Sequence, residues 1–198
     1  MRSKRQILYS VALATTLAGS TLSFTTGCAT MSPEQCMVAD WYRLGEQDAL
    51  AGRSSDHLAN RAGACQDAGY QSDMDAWYAG FEDALPSFCT LDNGFRFGVE
   101  GKSYQNTCPS ELAPQFLDGY DMGSEIHELE RAVTASNRQV NQLNSEIQRE
   151  RNSDVPKIDR INRLREEMTE LLEDIRPMEV ELATLRGVAI GRGFNVPR

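Results

Sequence analysis

Residues 126–147 read IHELERAVTASNRQVNQLNSEI. Ile126, Leu129, Val133, Val140, Leu143 and Ile147 recur in it at alternating steps of three and four, with Ser136 as one polar intrusion. That is the heptad seam of a paired helix. A second run, INRLREEMTELLEDIRPMEVELATL over residues 161–185, repeats the pattern through Ile161, Leu164, Met168, Leu171, Ile175, Met178, Leu182 and Leu185. Glu, Gln, Arg and Asn fill the other faces. Between the runs lies RERNSDVPK, whose Pro156 cannot sit inside a continuous helix. A connection this short predicts two antiparallel helices folded on one another, an antiparallel coiled-coil hairpin over residues 124–186. Its arms would be about 40 Å long at 1.5 Å per residue. Pro177 is expected to kink the second arm or end its regular pairing. Two helices bury only a narrow stripe. The seam therefore either packs on itself alone or also recruits a second copy or an envelope protein.

The N-terminus decides the compartment. MRSKRQ carries Arg2, Lys4 and Arg5 and no acid, and an uncharged, fairly apolar stretch follows up to Thr26-Gly27-Cys28. The layout is that of an export signal. Ser and Thr dilute the apolar run, which argues against a permanent span. A small residue directly before a cysteine at this distance resembles the bacterial lipoprotein signal. The resemblance implies cleavage before Cys28, a diacylglycerol on its thiol and an acyl chain such as palmitate on its amine. Thr25 departs from the usual leucine. Ala29 in place of aspartate implies the outer membrane. Residues 1–27 would then be a cleaved leader and 28–33 an anchor and linker.

Parity of the cysteines agrees. The chain has five, Cys28, Cys36, Cys65, Cys89 and Cys108. With Cys28 lipidated, the remaining four can form two disulfides in an oxidising space. No C-x-x-C spacing suggests a zinc or redox motif. Four cysteines permit three connectivities; Cys36–Cys65 with Cys89–Cys108 is the expected one, each closing a local helix pair.

The net charge is −9. Residues 28–123 hold 15 acids and 5 bases, whereas residues 124–198 hold 14 and 12. Such acidity opposes binding to nucleic acid and to anionic lipid.

Residues 34–123 carry a different signature, an aromatic followed three positions later by glycine. It occurs at Tyr42/Gly45, Trp77/Gly80, Phe95/Gly98, Phe116/Gly119 and Tyr120/Gly123. Residues three and four apart share a helix face. Each glycine costs about 1 kcal/mol of helix propensity, so close helix packing is expected to offset it. Ser32-Pro33-Glu34-Gln35 and Ser72-Asp73 read as helix starts, and Gly52 and Gly69 as stops. Helices are predicted near 33–51, 55–68, 73–85 and 94–104, and a fifth from Ser110 that runs on into the hairpin. Asn93-Gly94 reads as a turn or cap, and Leu85-Pro86 as an end. The tail, 187–198, with three glycines and a proline, reads as loose. Short helices of this kind need their disulfides, each worth about 2–4 kcal/mol.

The segments CMVADWYRLGEQDALAG, HLANRAGACQDAG, DAWYAGFEDALPSFC, LDNGFRFGVEGKSYQNTCP and PQFLDGYDMG resemble, in order and spacing, the bacterial family of small lipoproteins known as domain of unknown function 2799. The resemblance covers residues 34–123 and implies location and fold, not activity. Ala49 and Ala84 depart from the family's usual glycine.

The expected fold is all-α: a disulfide-stapled bundle of short helices, then the hairpin. No catalytic residue, metal ligand or cofactor motif emerges, and the covalent lipid on Cys28 is the only group expected. His57 reads as a structural or solvated residue near a helix start, and His127 as a solvated hairpin residue. The function expected is that of a non-enzymatic, lipid-anchored envelope protein facing the periplasm, acting in structure or protein interaction through the hairpin. The alternative is a periplasmic module that binds a cation or envelope glycan on the acidic, aromatic face of residues 40–121.

Overall fold

The computed structural model describes residues 31–197. Among them are the helices α1 (Pro33–Met37), α2 (Trp41–Leu50), α3 (His57–Asp67), α4 (Met74–Phe88), α5 (Leu91–Val99), α6 (Ala113–Arg151) and α7 (Ile158–Gly191), and no strand. The fold is all-α. Cys36 is bonded to Cys65 and Cys89 to Cys108.

Capping chemistry explains where the elements differ from expectation. The helix predicted over 33–51 divides at Val38–Asp40. Ser32 and Gln35 form a reciprocal capping box on α1, and Asp40 then accepts the Arg43 amide to start α2 afresh. Thr90 accepts from the Asn93 amide and starts α5 at Leu91, so Asn93-Gly94 lies inside a helix rather than at a turn, and α5 ends at Val99. Pro86 does not end α4. The helix reaches Phe88, and the Cys89 amide still bonds the Leu85 carbonyl at 2.8 Å. Gly52, at φ +73°, closes the turn after α2 in the left-handed region. Its Cα sits against the Phe88 and Phe97 rings, where a side chain has no room.

The glycines of the aromatic signature mark two helix crossings. A Cβ on Gly45 would run into the Trp77 carbonyl, and one on Gly80 into the Tyr42 carbonyl. The same reciprocal arrangement recurs twice between α5 and α6. Gly94 faces the Phe116 carbonyl and Gly119 that of Leu91; one turn on, Gly98 faces Tyr120 and Gly123 faces Phe95. Each glycine thus covers the carbonyl of the residue three before its partner glycine, leaving only Cα hydrogens between the backbones. The contacts advance together along both chains, so α5 and α6 run in the same direction. In α2 and α4 the second turn holds Ala49 and Ala84, both buried.

The residues three after each glycine complete the pattern. Trp77 donates its Nε1–H to Asp48 at 3.0 Å, and Tyr42 its hydroxyl to Asp83 at 2.7 Å. At the other crossing Phe95 has no donor, and the corresponding residue is the buried Ile126 of the same apolar cluster. Tyr120 donates to the Lys102 carbonyl, next to Gly101, at 3.0 Å. Ring donors meet acceptors, and the ring without a donor meets an alkyl chain.

Two apolar clusters result. One joins Met31, Trp41, Leu58, Trp77, Phe88 and Phe116 with all four disulfide cysteines. The other joins Phe95 and Ile126 to Leu182, Ala189 and Phe194. The second cluster corrects the expectation of a loose tail: α7 is helical to Gly191, and the Phe194 ring stacks on Phe95 at 4.2 Å. The helix also continues through Pro177, and burial resumes at Leu182, so pairing does not end at the proline.

Candidate functional site

A cluster of ionisable groups lies where α2, α3 and α4 meet. Asp48 is fully buried on the same face of α2 as Gly45. Its two oxygens accept four hydrogen bonds: Arg61 Nε at 2.7 Å, Arg61 Nη2 at 2.7 Å, Arg53 Nη1 at 2.8 Å and Trp77 Nε1 at 3.0 Å. Burial opposes ionisation of Asp48. The hydrogen bonds from Arg61 and Trp77, with the charge of Arg61 and, once it is protonated, that of His57, outweigh it and hold the carboxyl below its ordinary value. A carboxylate offers about four lone-pair positions, and all are taken. The group is arranged as a clamp rather than as a base awaiting a substrate.

His57 completes the cluster. Arg53 Nη1 stands 2.7 Å from His57 Nε2. Guanidinium only donates, so Nε2 is the acceptor and the proton sits on Nδ1. Burial lowers the His57 pKa; the Asp48 charge opposes this, and Arg53 and Arg61 add to it. The sequence reading left His57 between structural and solvated, and the half-buried ring is structural. It missed Asp48 and Arg61. Both could have been found: Asp48 shares a face with Gly45, Ala49 and Gly52, and Arg61 shares one with Leu58 and Cys65. A charge on an apolar face needs a partner.

His127 is also not a solvated residue. Its Nδ1 lies 2.9 Å from the Val99 carbonyl, and its ring packs over Gly101. Among the described residues, no three His, Cys, Asp or Glu side chains converge as metal ligands. The aromatic side chains expected to line an acidic ligand face are largely inside: Trp77, Phe95 and Phe116 are buried. Tyr42 and Tyr78 remain exposed. An open groove of about 670 Å³ runs between Phe88, Thr90, Arg96 and the tail at Phe194, without a buried unpaired polar group to orient a ligand.

The seam residues are brought together. Ile126, Leu143, Ile147, Ile161, Ile175 and Leu182 are buried, and Leu129, Val133, Val140, Leu164, Met168, Leu171 and Leu185 are half-buried. Ion pairs across α6 and α7 run in opposite order along the two chains: Arg160 with Glu146 and Glu150, both at 3.6 Å, Arg186 with Glu130 at 2.6 Å and Arg192 with Asp118 at 2.5 Å. The packing residues Tyr42, Gly45, Trp77, Gly80, Phe95, Gly98, Phe116 and Gly119 all sit at the crossings. Cys28 lies outside the described residues. No helix among those described is long and apolar enough to cross a membrane.

No curated protein and no solved structure matches the chain. Residues 40–125 match the model of a protein family described as a protein of unknown function, DUF2799. That span opens on the Asp40 cap, holds both glycine crossings and the Asp48 clamp, and closes just before Ile126; over residues 40–125 the chain carries the DUF2799 domain.

Proposed function

We propose that the protein is a non-enzymatic, lipid-anchored component of the bacterial cell envelope, held at the outer membrane through Cys28 and acting as a structural or protein-interaction element through α6 and α7. The observation that carries the reading is the continuity of α6. One helix of 39 residues leaves the disulfide-stapled module and forms the first arm of the paired helices, about 58 Å in all. A partner bound along that rod is held at a fixed direction from the anchor. The saturated Asp48 carboxylate supports a non-enzymatic role, because the most deeply buried acid is spent on architecture.

The test is crosslinking in the envelope from photoreactive residues at exposed positions of the rod, Leu172 and Val180, with mass spectrometry of the adducts. The expected result is a discrete adduct with a second copy or with one envelope protein, on a chain whose Cys28 carries lipid. A chain that stays monomeric and forms no adduct from either position overturns the interaction reading.

A further inference from the structure

We propose that the Met37–Val38 turn lies against the lipid bilayer, so that the module rests on the membrane by a protein contact as well as by its acyl chains. The inference rests on acylation of Cys28 as proposed above. Three observations converge on it. First, Met31 is fixed: it is 5% exposed, and its sulfur lies 3.8 Å from Cys65 Sγ. Cys28 is three residues earlier, and three Cα–Cα steps of about 3.8 Å place an anchor within about 11 Å of Met31. The module has no long tether. Second, Met37 and Val38 are 62% and 74% exposed, adjacent in the chain and the most exposed large apolar side chains described in the module, ahead of Leu50 and Met74 at 54% each. Third, Met31 and Val38 line one groove of about 290 Å³ together with Ala39, Leu44 and polar residues, Asp40 and Arg43 among them, so Val38 and the first described residue after Cys28 lie at the same end of the module. The Cys36–Cys65 bridge holds α1 there. Two adjacent apolar side chains beside a short lipid tether fit the acyl region of a bilayer. The acidity of residues 28–123 opposes anionic headgroups, which makes a zwitterionic surface the matching one.

The experiment uses the acylated full-length protein in phosphatidylcholine vesicles, with an environment-sensitive fluorophore on Met37→Cys or Val38→Cys. Val155→Cys serves as the reference, because Val155 is 78% exposed at the far end of the rod. All three positions are solvent-exposed, and circular dichroism checks that the labelled chains are folded. At 37 and 38 the emission is expected to shift to shorter wavelength on vesicle binding, with several-fold stronger quenching by nitroxide-bearing lipids than at 155. An acylated, vesicle-bound chain whose probes at 37 and 38 stay as water-exposed as the one at 155 overturns the contact alone. Intact mass showing no acyl group on Cys28 overturns the anchor and the contact together.

Discussion

At the scale of single residues, Asp48 is the position on which the first half of the module turns. Removing one partner of a buried pair leaves the other uncompensated and costs about 3–5 kcal/mol. Asp48→Ala is therefore expected to destabilise the protein by about that much in urea unfolding, with Arg61 left buried and unpaired. The clamp also sets a dependence on pH. The folded-state pKa of His57 is depressed, so the unfolded chain binds a proton that the folded chain refuses. Stability is then complete above the ordinary histidine value of about 6.5 and declines as pH falls below it. Asp48, with its folded pKa also depressed, contributes stability above the ordinary carboxylate value that is lost as pH falls through its folded value, further down. Denaturant unfolding between pH 8 and 5 should show the first decline, and His57→Gln should remove it. A decline unchanged in His57→Gln would refute the assignment. Counted as surface charge, the acids of residues 28–123 hide the clamp. The face shared by Asp48, Gly45 and Ala49 was the available signal.

At the scale of elements, glycine has two opposite meanings in this chain. In an ordinary helix interior Gly→Ala stabilises by about 0.5–1 kcal/mol. Gly187, within α7, is such a place: beyond the backbone of its own helix, a Cβ there would meet nothing described within 4 Å. At Gly80 and Gly119 a Cβ would collide with the backbone carbonyls of Tyr42 and Leu91. Backbone cannot swing aside as a side chain can, and overpacking costs about 1–3 kcal/mol or more. Thermal unfolding should therefore raise Tm for Gly187→Ala and lower it for Gly80→Ala and Gly119→Ala; a rise in all three would mean the crossings are looser than described. The signature itself was readable, and so was its meaning as close packing. Which glycine meets which carbonyl was not, because reciprocity requires knowing the partner helix. Leu91/Gly94 escaped notice because the residue covered is a leucine: the geometry needs its carbonyl, not an aromatic ring. The heptad runs were legible because one face repeats over many turns. The break at Asp40 and the passage of α4 through Pro86 were not, since each is decided by one hydrogen bond near a helix end.

At the scale of the whole molecule, module and rod share a core. Phe95 of α5 and Ile126 of α6 are covered by Leu182 and Ala189 of α7 and by Phe194. The chain's C-terminal end thus closes the same helix crossing that Gly98 and Gly123 open. Composition predicted the reverse, since three glycines and a proline read as a loose tail; one aromatic ring stacked on another outweighs them. Truncating a buried Phe costs about 3–5 kcal/mol where the site cannot collapse. Phe194 lies three residues past the end of α7, where the chain can relax, so the lower end of that range is expected for Phe194→Ala. The loss should also be local. Proteins open in cooperative units, and Phe194 touches the α5–α6 crossing but belongs to a different apolar cluster from Asp48, Trp77 and the α2–α4 crossing. Hydrogen exchange on Phe194→Ala should therefore show faster exchange in Leu91–Val99 and in the last turns of α7, with protection in Trp41–Leu50 and Met74–Phe88 unchanged. Exchange accelerated equally in both crossings would mean that the two halves of the module open as one unit, and that the rod stabilises the whole base rather than its nearer half.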